Sequence, residues 1–230
     1  MDEAAKALAL IGGTALLNEP GQDERQRQAA WDSMLYAQLV ANKQAGSRFD
    51  DYDAWYAAYT ATYRQLGWLK IAGTHDQRQL GMARPNGPIQ PLEAWMRIRA
   101  IEHKAVVAAV TGQLSRSGAA FGHLLKFCAR DEAGVSSVVV EIGLLKPGPV
   151  MDLCSIALRT TKPITGYALS TLMSEQLKQG EAVFNGVSLA LDSERFAPQR
   201  DELKSLMASK DQHGAYRFYL NAERTGEEHE

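Results

Sequence analysis

Cysteine is scarce in this chain of 230 residues. Its two cysteines, Cys128 and Cys154, share no short motif, which excludes a disulfide scaffold and leaves a reducing compartment or a single bridge. Histidine is thin as well. His75, His103, His123, His213 and His229 are scattered, and none stands near a cysteine at metal-ligand spacing, so no metal centre is expected. No glycine-rich phosphate loop, dinucleotide fingerprint, His-Glu-x-x-His helix or Gly-x-Ser-x-Gly elbow occurs. Excess charge of one sign is missing too. A formal net charge of -2 without a basic run argues against a nucleic-acid partner. No apolar run is long enough to cross a bilayer.

What is present is ordinary globular material, 45% hydrophobic and 23% charged, enough for a sizeable core without staples. One stretch stands out. Phe49, Tyr52, Tyr56, Tyr59, Tyr63 and Leu66 follow at alternating steps of three and four, which lines one face of a helix. Trp55 flanks that face, and Gly67 sits where a helix C-terminus wants positive φ. Rings of this size bury large apolar areas and organise a core.

The first half reads as helix: about 23–44, about 50–66, a long helix from Leu92 towards Leu114 behind Pro91, and a short one at about 119–129. The composition of 73–91 reads as a long loop. Beyond Gly134 the period falls to two, with a strand through Val138, Val140, Ile142 and Leu144. Lys146-Pro-Gly-Pro149 turns it into a second arm over 150–161, apolar in both registers. Further strands are expected at 167–173 (with helix as the competitor), 183–192 and 215–220, and a late helix at 198–208. The order predicts an α+β fold: a helical layer (1–130) packed on a C-terminal antiparallel β-sheet (131–222), with a frayed tail (223–230), all one domain.

The segment Ala7 to Leu17 has the length of a signal-peptide core, but Asp2 and Glu3 occupy its positive end and no cleavage site follows. It reads either as a short buried helix or as an apolar segment inserting shallowly into lipid through Leu8, Leu10, Ile11, Leu16 and Leu17. Asp50-Asp51 read as helix-capping charge and Asp131-Glu132 as a turn. His75 with Asp76 reads as a solvated loop pair. Cys154, mid-strand in Met151-Asp-Leu-Cys-Ser-Ile-Ala157, is either an inert buried thiol or a carrier of an acyl chain in the core.

The helix with Ala37-Gln-Leu-Val-Ala-Asn-Lys43, Trp55-Tyr56-x-x-Tyr59 closing in Leu66-Gly67-Trp68, Glu141-Ile-Gly143, the strand at 150–158 and Gln199-Arg-Asp-Glu-Leu203 together resemble a family of microbial proteins associated with the Erwinia virulence factor, which promotes bacterial persistence in insect guts. That resemblance implies an α/β protein without an assigned reaction, linked to lipid through a fatty-acyl thioester on a buried cysteine, for which Cys154 is the candidate. Ala157, Ala168 and Gly186 would leave room for such a chain.

The functional expectation is a virulence-associated or toxin-like accessory protein that engages lipid or membrane without turnover. It would be cytoplasmic in its producing cell and exported without a classical signal peptide. No cofactor is expected beyond a covalent acyl chain, and the oligomeric state is open. The competing readings are an acyl-transfer enzyme using Cys154 as nucleophile, and a protein-binding adaptor or immunity module with an exposed aromatic patch.

Overall fold

A computed structural model describes residues 7–80, 89–160 and 180–220. The strands are Ala7–Ile11 (β1), Thr14–Asn18 (β2), Trp68–Leu80 (β3), Ala129–Glu132 (β4), Val135–Lys146 (β5), Val150–Thr160 (β6), Gly180–Leu191 (β7) and Arg217–Leu220 (β8). The α-helices are Glu24–Ala45 (α1), Tyr52–Gln65 (α2), Ile89–Ile98 (α3), His103–Arg116 (α4), Gly118–Cys128 (α5), Ser193–Phe196 (α6) and Arg200–Lys210 (α7). Among the described residues the strands form one sheet in the order β3-β7-β6-β5-β2-β1-β8, with β4 also paired to β5.

The sheet is buried on both faces. Val138, Val140, Ile142, Leu144, Cys154, Ile156 and Phe184 pack with Leu92, Trp95, Val106, Val110 and Leu124 beneath α3, α4 and α5. The alternate positions Leu145, Met151, Leu153, Val187 and Leu189 pack with Met34, Trp55, Tyr59, Tyr63, Leu203 and Met207 of α1, α2 and α7. The expected two-layer arrangement is therefore corrected to helices on both sides of a mixed sheet. Strands apolar in both registers need cover on both faces. The sheet is also not wholly antiparallel, because β2 runs parallel to β5.

The largest departure concerns 7–17, which is a β-hairpin and not a helix. Gly12-Gly13 links the paired residues Ile11 and Thr14, with Gly12 at φ 52°. Leu8, Leu10 and Leu17 enter one core, and Ile11 and Leu16 the other. All five candidate membrane contacts are at most 1% exposed, because the hairpin lies inside the sheet between β5 and β8. In this conformation none of them can reach lipid.

Three smaller corrections follow. Residues 73–80 continue β3 as an edge strand paired to β7, although their polar composition reads as loop. The long helix expected from Leu92 is broken after Ile98. Ala100 takes φ 54°, Ile101 N–H reaches Met96 O at 2.8 Å, and Ala100 N–H reaches Arg97 O at 3.0 Å. This is a Schellman stop with alanine where glycine is usual, after which Glu102 caps α4. Asp131 and Glu132 end β4, and the turn itself is Ala133-Gly134, both at positive φ. The late helix is present as α7. The expected strand at 167–173, Ala168, the charged tail and His229 lie outside the described residues.

Candidate functional site

The aromatic helix α2 lies on the sheet as the sequence predicts, and its hydroxyls land on an unexpected row of polar residues. Register pairs Thr14 with Glu141, Glu141 with Ser155, Ser155 with Asn185, and Asn185 with His75. Five strands thus contribute one polar residue each to a line crossing the sheet beneath α1 and α2.

The inner end centres on Glu141, which is 4% exposed. Its Oε1 accepts from Thr14 Oγ1 at 3.0 Å and from Tyr59 OH at 2.7 Å, and Tyr59 and Tyr63 hydroxyls meet at 3.0 Å. Gln38 of α1 donates to Ile11 O at 2.9 Å and to Thr14 Oγ1 at 3.1 Å, and accepts from Arg48 Nη2 at 2.8 Å. The Arg48 guanidinium lies 4.2 Å from the Trp55 ring centre. The glycines of the hairpin make this packing possible: a Cβ on Gly13 would lie 2.4 Å from Arg48 Nη1. Burial raises the Glu141 pKa, against the opposing pull of the Tyr59 and Thr14 hydrogen bonds and of Arg48. Burial also lowers that of Arg48 and pushes Tyr59 and Tyr63 well up. Every group in this end is satisfied within the fold, which marks it as structural cement.

The outer end opens at the surface. Tyr52 OH donates to Ser155 Oγ at 2.8 Å, Asn185 Nδ2 donates to Tyr52 OH at 3.2 Å, and Asn185 Oδ1 lies 2.9 Å from His75 Nδ1. Since Oδ1 can only accept, Nδ1 of His75 carries the proton and Nε2 faces away from the relay. His75 therefore sits in a strand, orienting towards Asn185, and not in the solvated loop its neighbours suggest. Beside it lies a cleft of about 270 Å³ lined by Tyr56, Thr60, Lys70, Gly73, Thr74, His75, Asn185, Gly186 and Val187.

Cys154 belongs to the opposite face of the sheet, in the core under α3. It is 2% exposed, and burial holds its thiol well above the usual range. Gly186, its register partner, leaves a gap, but the Trp95 indole fills it: a Cβ there would meet Trp95 Cδ2 at 2.6 Å. The histidines whose side chains are described are placed elsewhere. His75 lies across the sheet, His123 is 3.2 Å from Tyr216 O, and His213 is exposed. Among the described residues no base is hydrogen-bonded to the Cys154 sulfur. Trp55 and Tyr59 are 2% and 1% exposed, which returns them to the core, whereas Tyr52 is half-buried.

A second surface feature is apolar. Leu69 (43%), Ile71 (53%) and Ile98 (75%) are among the few exposed large hydrophobics. Leu69 and Ile71 lie on the edge strand β3, and Ile98 ends α3. Arg99 Nε bonds Asp152 Oδ1 at 2.9 Å, and Asp152 is in register with Ser188, which pairs with Ala72, so α3 ends over β6 in the row that reaches β3. Lys146 shares Asp152 at 2.8 Å, so two cations face one carboxylate there. No helix among the described residues is long and apolar enough to cross a membrane.

No known protein family matches the sequence, and no curated protein does. A structural comparison finds similarity to the structure of the Evf virulence factor, with a TM-score of 0.39 and 10% identity over 87% of this chain and 84% of that one. This is a loose resemblance in fold.

The sequence marks Tyr52 as a ring on a helix face and Glu141 as part of the resemblance, and gives no site role to either of them or to Ser155 and Asn185. One signal was available: Glu141 is a carboxylate inside an otherwise apolar strand, and such a group must find partners when buried.

Proposed function

We propose that the chain is an accessory protein that docks peripherally on an anionic lipid surface, with no turnover chemistry of its own. The observation that carries this reading is the exposure of Leu69 and Ile71 on the edge strand β3 and of Ile98 at the end of α3, with Arg99 and Lys146 both paired to Asp152 at that helix end. Apolar side chains seek the acyl boundary, while the cations pair with anionic headgroups. The contact replaces the N-terminal leucines, which the sheet consumes, and it needs no acyl chain on Cys154.

Flotation with vesicles of phosphatidylglycerol and phosphatidylcholine, against phosphatidylcholine alone, tests the reading. The wild type floats with the anionic vesicles. Each side chain transferred from water contributes about 1.5–3 kcal/mol when fully buried, so Leu69→Ser, Ile71→Ser and Ile98→Ser together weaken partitioning by at least about 100-fold. Absence of binding to either vesicle, or equal flotation of the triple variant, would overturn it. Capture of a protein partner by this surface without flotation would equally decide against lipid.

A further inference from the structure

We propose that the cleft between α2 and β3 is a binding site for a small organic oxyanion carrying a neighbouring hydroxyl, either a hydroxycarboxylate or a phosphate monoester. The site lies on the opposite face of β3 from Leu69 and is independent of the lipid-docking end.

The cleft is built by an irregularity in β3. Lys70 pairs with Leu189 and Ala72 with Ser188, leaving Ile71 as a bulged extra residue. A bulge shifts the alternation of side chains by one. Lys70, Gly73 and His75 consequently share the face under α2, where strict alternation would have separated Lys70 from the other two. The Lys70 chain then folds over Gly73: a Cβ on that glycine would lie 2.4 Å from Lys70 Cε and 2.6 Å from Nζ. The ammonium has no ion-pair partner among the described residues. Tyr56 and Thr60, one helical turn apart, wall the cleft from the helix side.

In the same cleft as the ammonium, His75 is held by a buried amide, whose oxygen it satisfies. Asn185 is 6% exposed, and its amide is committed by Tyr52, which is in turn committed by Ser155. A solvent-exposed imidazole rarely receives a buried relay three side chains deep. The relay fixes one tautomer and presents the Nε2 lone pair to the ligand. A charged donor and a fixed acceptor side by side suit a ligand with an anionic oxygen for Lys70 and a hydroxyl proton for His75. The volume of about 270 Å³ admits a compact metabolite, at the small end of ligand pockets.

Isothermal titration of the full chain with glycerate, glycerol 3-phosphate, inorganic phosphate and glycerol tests the proposal. The glycerate and glycerol 3-phosphate arms distinguish carboxylate from phosphate; at least one binds, and glycerol does not. Lys70→Met weakens that probe by about 10-fold or more, the loss expected for one charge-assisted hydrogen bond. Gly73→Ala, which displaces the Lys70 chain, weakens it similarly, while thermal unfolding of Lys70→Met matches the wild type. Tyr52→Phe moves the His75 side-chain NMR signals and reduces affinity for the hydroxyl-bearing probe more than for inorganic phosphate. Failure of both organic probes to bind, or wild-type affinity in Lys70→Met and His75→Ala, would overturn the assignment.

Discussion

Replacing Glu141 by Gln removes a buried charge while keeping the shape and the acceptor oxygen. Thr14 and Tyr59 can still donate to Oε1, so the hydrogen bonds at 3.0 and 2.7 Å survive. Two effects compete over the sign. Arg48 attracts a carboxylate, which would make the wild type the more stable protein at neutral pH. Burial disfavours that carboxylate and is the larger effect, so the folded pKa of Glu141 stands above its ordinary 4.5. Arg48, moreover, spends a guanidinium nitrogen on Gln38 at 2.8 Å. The folded state thus holds the Glu141 proton more tightly than the unfolded chain. The stability from Glu141 is fully present below the unfolded pKa and is lost as pH rises through the folded one. Its loss has a limiting slope of about 1.4 kcal/mol per pH unit between the two. Urea unfolding followed by tryptophan fluorescence measures this as the difference between Glu141→Gln and wild type, in which the other titrating groups cancel. The two proteins agree within about 1 kcal/mol well below pH 4.5, and the glutamine variant gains over wild type as pH rises towards neutrality. A variant that loses ground over that range would show that Arg48 outweighs desolvation, and would refute the reasoning.

Three further outcomes are expected. Gly186→Ala drives a methyl group into the Trp95 indole and Thr74 Cγ2, within 2.6–2.9 Å, and lowers unfolding stability by about 1–3 kcal/mol in urea titration. Asp32→Ala strands the Arg217 guanidinium, 7% exposed and bonded at 2.7 Å to Asp32, and costs about 3–5 kcal/mol by the same assay, less whatever Asp211 at 3.8 Å recovers. Neither Cys128, pushed up to about 12 by burial, nor Cys154 reacts with iodoacetamide in the native protein, whereas both label in urea; intact mass reads the result.

Periodicity made much of the fold legible. The three- and four-residue steps of α2 specify its type and much of its buried face, while the alternation of β5 specifies a strand but suggests one buried face where the fold buries both. Other elements carried misleading or weak signals. Over five residues, Ala7-Leu-Ala-Leu-Ile11 is buried on both sides, so periods of 2 and 3.6 look alike. Thr74 to Gln79 is all polar, as suits a strand at the edge of the sheet. Ala100 ends α3 without the glycine that would announce it. The site was harder to read for a different reason. Thr14 and Glu141 touch across 127 positions, and Tyr52 and Asn185 across 133, so no local spacing encodes the row. Cys154 attracted notice as a chemically distinctive residue, yet the sheet places it on the face away from every polar group of the row.

The edge strand brings the two surface features together. A sheet edge with unpaired backbone invites unwanted pairing, and a bulge is one of the ordinary ways to blunt it. In β3 the extra residue is Ile71, and its insertion separates two chemistries that are adjacent in sequence. Leu69 and Ile71 remain apolar and exposed, while Lys70 between them turns to the opposite face and reaches over Gly73 towards His75. Deleting Ile71 would restore strict alternation with Lys70, Gly73 and His75 still on one face, because Lys70 and Ala72 already pair with the consecutive residues Leu189 and Ser188. That single deletion should therefore weaken vesicle flotation while sparing oxyanion binding, whereas Lys70→Met affects the cleft and Ile98→Ser affects the docking end. A deletion variant that folds, measured by its unfolding transition, and loses oxyanion binding would mean that the shared face of Lys70, Gly73 and His75 is not what builds the cleft.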